Sequence, residues 1–287
     1  NIMQPAYITL CNNKGEVVRV LEDNKTLQDD INSLHIKAPE FFSFTTAEGV
    51  ALNGYMIKPY DFDPSKKYPV IMRVYGGPGS QEAKQWYDGF KMMWHQMMAQ
   101  KGYITVCVDN RGTALRGRDF RTSTYGQLGK YETNDQIEAA KWLSKQSFID
   151  GNRIGIWGWS YGGYMAGLCI TRGADVFKAA VSVAPVTNWK YYDNIYTERY
   201  MGTLETNPNG FDANAPMAYA DKLQGKYLLI HGTGDDNVHY QNFEIKYYTA
   251  NLLNQTLSIV SQELKNRSNS NRRPNEPLLH FISRKLQ

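Results

Sequence analysis

Cysteine is scarce in this chain, and glycine stops early. The three cysteines (Cys11, Cys107 and Cys169) are far apart and odd in number. That excludes a disulfide framework and offers no metal-ligand spacing. Cys107 and Cys169 fall in apolar segments and read as buried free thiols. No apolar run reaches the length of a membrane span, and no signal peptide is visible. The chain opens at Asn1 without a methionine, as a fragment of a longer protein would.

An excess of one charge is also lacking in the body of the chain. The formal net charge is +4, but residues 243–287 carry seven Lys/Arg against three acids. The preceding 242 residues are therefore neutral and carry no nucleic-acid footprint. All 24 glycines lie at or before Gly234. Ordinary usage would place about five between there and the last residue. Asn and Arg accumulate there instead, in "KNRSNSNRRPNEP", which reads as loop or disorder by composition.

A content of 42% hydrophobic and 13% aromatic residues is enough for a sizeable core. Residues 6–20, "AYITLCNNKGEVVRV", predict a hairpin turning at Asn12–Gly15, and a polar linker runs on to about residue 37. "FFSFTTAEGVALNGYMIKP" predicts a second strand pair, turning at Glu48-Gly49. Strand-like and helix-like segments then alternate: "YPVIMRVY", "WYDGFKMMWHQMMAQKG", "YITVCVD", "NDQIEAAKWLSKQ" with a cap at Thr133 or Asn134, "RIGIWGWS", "YGGYMAGLCITRG", "FKAAVSVAPV" and, after an aromatic-rich excursion, "KYLLIHGTG". This alternation predicts an α/β domain with a mostly parallel sheet and helices on both faces. Functional residues then belong at the carboxyl ends of the strands.

One of those ends is "GWSYGG". A G-x-S-x-G between a strand and a helix makes Ser160 a candidate nucleophile, exposed on a sharp turn, with the next N–H facing a developing oxyanion. A serine hydroxyl needs an adjacent base. Partners on such a fold come in the order acid, then histidine. Asp235 and Asp236 both stand after the strand "YLLIHGTG", and spacing alone does not separate them. Of the five histidines only His239 and His280 come later, and His239 is too near the acids for an independent loop. His280 remains, on an apolar stretch.

"GWSYGGYM", "YGGPGSQ", "DNRGT", "APVTNWKYYDNIYTERYMG" and "YLLIHGTGDDNVHYQ" together resemble the catalytic domain of the dipeptidyl peptidase IV branch of the prolyl oligopeptidase family of serine peptidases. The resemblance covers roughly residues 40–242. It implies an α/β-hydrolase fold over residues 38–242. It also implies that residues 1–37 are the end of a β-propeller blade plus linker, and that 243–287 form a divergent tail. It implies Ser160 as nucleophile, Asp235 as triad acid, and the Tyr75 hydroxyl with the Tyr161 N–H as oxyanion donors. Tyr161, Val186, Trp189, Tyr192, Tyr196 and Val238 would line a proline pocket, with Asn237 and Arg199 near the substrate backbone.

The implied substrates are peptides with Pro or Ala at the penultimate position. Neither cofactor nor metal is implied, a homodimer is compatible, and a longer parent would be periplasmic or at the cell surface. Two departures stand out. The family's glutamates for a free amino terminus lie in a propeller that this chain lacks. Its histidine sits in an Asp-His-Gly- or Asn-His-Gly-like loop past the acid, where this chain reads "QELKNRSNS". The expectations are therefore an active peptidase completed by His280, or a chain whose end was replaced, as by a reading-frame disruption, and whose chemistry is crippled. A non-catalytic interaction module and a generic esterase are the alternatives.

Overall fold

A computed structural model describes residues 2–244 and 257–262. Two strands, β1 (Ile8–Cys11) and β2 (Val17–Glu22), form an antiparallel ribbon of their own. Asn12 closes its turn, accepting the N–H groups of Lys14 and Glu16, and Gly15 takes φ +82°. Val17, Val18, Val20 and Leu21 of this ribbon are all exposed.

The segment expected as a linker contains a helix, α1 (Lys25–Ser33), which buries Ile31. Its polar composition hid a short amphipathic turn pattern.

The remaining strands share one eight-stranded sheet. β3 (Glu40–Thr45) and β4 (Ala51–Ile57) are antiparallel, turning through Gly49 at φ +79°. β5 (Tyr68–Arg73), β6 (Ile104–Asp109), β7 (Ile149–Trp159), β8 (Phe177–Val183), β9 (Lys226–Gly232) and β10 (Leu257–Gln262) run parallel. The order across the sheet is β10-β9-β8-β7-β5-β6-β4-β3. Every residue of β6 is buried, as expected for a central parallel strand covered on both faces. β10 extends the sheet beyond residue 242, an element the sequence did not reveal.

Helices α2 (Gly89–Gln100), α3 (Arg118–Thr122), α4 (Lys130–Ser144), α5 (Tyr161–Arg172), α6 (Asn194–Met201) and α7 (Gly210–Ala213) complete the fold. The methionine stripe of α2 packs inward through Met92 and Met98. α4 starts earlier than its predicted cap: Gly129, at φ +89°, precedes the first turn, and Thr133 lies inside it. Burial of α5 is nearly complete, including Met165, Leu168 and Ile170, at about 1.5–3 kcal/mol per large apolar side chain. Among the described residues no helix is long and apolar enough to cross a membrane.

Strand order reverses between β5 and β7. The chain leaves β5 toward β6 on one side and leaves β7 toward β8 on the other. A crevice opens at the carboxyl ends of such a pair, where Tyr75 and Ser160 stand.

Candidate active site

Ser160 sits between the last residue of β7 and the first of α5 with φ 58° and ψ −117°. A side chain held there is strained by about 1–3 kcal/mol and persists only where its surroundings over-determine it. They do so here. The Ser160 N–H donates to the Val183 carbonyl at 2.8 Å, and its own carbonyl accepts the Tyr164 N–H at 3.0 Å. Gly158 and Gly162 face each other and the Val74 carbonyl so closely that a Cβ on either would overlap backbone atoms. A Cβ on Gly163 would fall 2.8 Å from the Val183 oxygen. This is the strained strand-to-helix turn that raises a serine hydroxyl above a sheet. Among the described residues the Ser160 side chain has no hydrogen-bond partner, and it is partly exposed.

Tyr161 opens α5, so its N–H has no intrahelical acceptor and lies beside the serine. Tyr75 comes just after β5. Its Cα lies 3.2 Å from where a Gly162 Cβ would be, and its ring centroid is 6.1 Å from that of Tyr161. Burial raises the Tyr75 phenol above its usual range, so it keeps its proton and remains a donor.

The loop that carries Tyr75 is clamped from below. Arg73 and Glu82 form an ion pair, and the Asp109 carboxylate accepts the N–H groups of Glu82 and Ala83 at 2.9 and 3.0 Å. Asn110 donates to the Gly76 carbonyl at 3.0 Å and is itself held by Gln136. Burial pushes Asp109 up to about 6. Sequence reasoning missed this clamp. Its signal was the charge at the end of two apolar strands, in "VIMRVY" and "VCVDN".

Asp235 and Asp236 separate in the structure. Asp235 Oδ1 accepts the N–H groups of Asn237 and Val238, each at 3.0 Å, which fixes the carboxylate beyond β9. Asp236 is exposed. Ser160 and Asp235 come after strands separated by β8, so about 10 Å of sheet edge lies between their strands, room for a bridging imidazole.

No described histidine makes that bridge. His231, four residues before the acid, is buried, and its Nε2 donates to the Val238 carbonyl at 2.8 Å. The same nitrogen is 3.9 Å from Asp235 Oδ2. Burial lowers the His231 pKa, keeping the ring neutral. His239 is exposed, and His280 lies outside the described residues.

The aromatic residues of the excursion after β8 cluster around Trp189, which meets Tyr161. Trp189 stacks on Tyr196 with centroids 5.5 Å apart, Tyr192 meets both edge-on, and Trp189 lies 5.2 Å from the Tyr161 ring. The Asp193 carboxylate caps α6 by accepting the Tyr196 N–H at 2.8 Å, which sets the placement of Tyr196. The Tyr192 hydroxyl donates to Asn237 Oδ1 at 2.9 Å, tying the excursion to the Asp235 loop. Asn242 ties them again by accepting the Thr187 N–H at 3.0 Å. Val186 and Val238 are buried in the same cluster. Arg199 points to solvent on α6 without a described partner.

Beneath this cage the Tyr161 hydroxyl donates to Glu132 Oε1 at 2.8 Å. Burial pushes Glu132 up to about 7, against the opposing pull of backbone N–H groups and the Tyr161 bond. The folded chain thus holds this proton more tightly than the unfolded chain. Its contribution is fully present below about pH 4.5 and is lost as pH rises to about 7, on the order of 3 kcal/mol. Glu132→Gln is expected to flatten that part of the fall in Tm between pH 5 and 8, measured by thermal unfolding against the parent chain.

A mostly parallel sheet with this strand order and a strained serine elbow defines the α/β-hydrolase fold. The sequence pattern of the prolyl oligopeptidase family matches residues 89–257. The chain is 42% identical to bovine "Prolyl endopeptidase FAP" and 41% identical to a protein of Emericella nidulans named "Probable dipeptidyl peptidase 4", over 78% and 80% of its length. The crystal structure of Porphyromonas gingivalis dipeptidyl peptidase 4 superposes with a TM-score of 0.91 at 38% identity, covering 99% of this chain and 40% of that one. The chain belongs to the prolyl oligopeptidase family of serine peptidases and resembles its dipeptidyl peptidase IV branch. It spans 30% of the length of the two sequence relatives.

Proposed function

We propose that this chain is the catalytic part of a peptidase that cleaves after proline or alanine. The observation that carries this reading is that one residue, Tyr161, borders both the nucleophile and the aromatic cage. A flat, rigid pyrrolidine ring suits walls of Trp189, Tyr192 and Tyr196 closed by Val186 and Val238. Seating the ring there would bring proline's own carbonyl to Ser160.

In the forward step Ser160 Oγ would form a bond to that carbonyl carbon while its proton passes to an imidazole oriented by Asp235. Tyr75 and the Tyr161 N–H would receive the oxyanion. Collapse would break the peptide C–N bond, with the proton delivered to the leaving amine, and water would release the acyl-enzyme. Asn237 would hold the substrate backbone near the pocket. Release of dipeptides belongs to a longer parent, in which the exposed β1–β2 ribbon would be the end of a propeller blade and residues 38–242 the catalytic domain.

A peptide boronic acid tests the reading. A boroproline peptide is expected to bind at least about tenfold tighter than its boronorleucine counterpart, the discrimination a shaped pocket supplies. Ser160→Ala should abolish the covalent adduct in mass spectrometry. Equal affinity for the two boronates would overturn the proline assignment.

A second reading concerns turnover. His231 is committed to a carbonyl, and residues 262–270 contain no histidine. We infer that the pocket and the oxyanion donors are present and that no described residue serves as the base, leaving a chain that binds but scarcely acylates.

A further inference from the structure

Glu132 is an expensive residue to bury. It lies in the first turn of α4 with no exposed surface, and Oε2 has no hydrogen-bond partner among the described residues. No described cation forms an ion pair with it. A carboxyl in such a place is costly unless it holds something, and what it holds is the Tyr161 hydroxyl at 2.8 Å. Packing alone would be served as well by phenylalanine at 161, with an apolar residue beneath it.

The Tyr161 ring is the shared wall of the site. It faces Tyr75 on one side, Trp189 on another and Tyr164 edge-on at 5.4 Å. The same residue's N–H is the backbone donor next to Ser160. Tyr164 is anchored independently, its hydroxyl donating to the carbonyls of Leu128 and Asn214. The Glu132 bond therefore bears on Tyr161 alone. The axis of this ring can swing with the Tyr161 χ1 angle, and a bond at the para hydroxyl from a rigid helix fixes where that axis points.

We propose that Glu132 is a positioning residue of the site: by holding the Tyr161 hydroxyl it sets the ring that separates the oxyanion donors from the proline pocket. The inference rests on the proline-pocket reading and names the group that gives that pocket its shape. The groups facing the carboxyl are Tyr161 and Tyr164 from α5, Tyr196 from α6, and Asp135 from its own helix.

The test is calorimetric binding of two uncharged amides, an acylated pyrrolidide and the matching piperidide, to the full chain and its variants. The parent should prefer the five-membered ring. Glu132→Ala and Tyr161→Phe should each lose about tenfold in pyrrolidide affinity and narrow the ring-size preference, the effect of one lost buried bond. Combining them should be no worse than either alone, since both remove the same bond. Glu132→Gln, whose amide oxygen can accept the same hydrogen, should stay within about threefold of the parent. Circular dichroism establishes that each variant folds. If Glu132→Ala does not, Tyr161→Phe and Glu132→Gln carry the comparison.

Unchanged affinity and ring preference in Tyr161→Phe would overturn the proposal, as would a Glu132→Gln loss as large as that of Glu132→Ala. A parent that shows no ring-size preference would overturn the pocket reading itself. That failure is seen in the parent, before any variant at 132 or 161 is measured.

Discussion

Ser160 is expected to react with a fluorophosphonate several orders of magnitude more slowly in this chain than in a chimera carrying a histidine-loop segment from a family member in place of residues 263–287. The elbow is intact, and Tyr75 and Tyr161, the proposed oxyanion donors, lie with ring centroids 6.1 Å apart. What differs is proton removal. Loss of the triad histidine costs on the order of a million-fold in subtilisin, and the residual rate comes from the oxyanion hole and binding alone. His231 does not substitute: its Nε2 proton is used on the Val238 carbonyl and its other ring nitrogen is buried without a partner.

Because β10 pairs in parallel with β9, a segment grafted after it would emerge at the carboxyl edge of the sheet, on the side of Asp235. Gel fluorescence of the labelled protein over time gives the rate. Fast labelling of the chain as it stands would overturn the missing-base reading. If His280→Ala then abolished that labelling, His280 would be the base.

Much of this site was legible because its residues lie at strand ends, where hydrophobic periodicity breaks. Ser160 and the Asp235–Asp236 pair each follow an apolar run, whereas the choice of Asp235 and the role of Tyr75 came from family resemblance. The cage residues Trp189, Tyr192 and Tyr196 came from family resemblance, since aromatic spacing alone does not distinguish a pocket wall from core. Their clustering, with Trp189 against Tyr161, is a tertiary fact. Glu132 and the Arg73–Glu82–Asp109 clamp were not legible. Each is a polar residue whose partner is distant in sequence, and a charge in an amphipathic helix reads as solvent-facing until burial is known.

The early start of α4 was hidden for a local reason. Gly129 takes φ +89° ahead of it, and the residue places that bend without a side-chain cap. β10 was hidden because "LSIV" is too short a run to stand out from the other short apolar runs of the tail.

The largest stability effect is expected at Gly162. Its neighbours are not flexible side-chain ends but backbone: the Val74 carbonyl oxygen and carbon, and the Tyr75 Cα at 3.2 Å. A methyl group there must push the chain at the end of β5 away from the start of α5. Three bonds oppose that movement. The Val74 N–H donates to the Trp157 carbonyl at 3.0 Å, the Ser160 N–H to Val183, and the Tyr164 N–H to Ser160.

Overpacking a rigid site costs about 1–3 kcal/mol, occasionally more. A clash with backbone at the junction of three elements belongs at or above the top of that range, a large share of the roughly 5–15 kcal/mol that holds a domain folded. Gly162→Ala should therefore lower the urea midpoint far more than Gly15→Ala. Gly15 is also at positive φ, but a Cβ there meets nothing within 4 Å, so only the left-handed penalty of about 1–2 kcal/mol applies.

The contrast separates crowding from conformation. An equal or smaller effect at Gly162 would mean that the elbow can relax, and a relaxed elbow would let Ser160 leave φ 58°. The strain at the nucleophile and the intolerance of its glycines are thus one property, and both should fail together in the same variant.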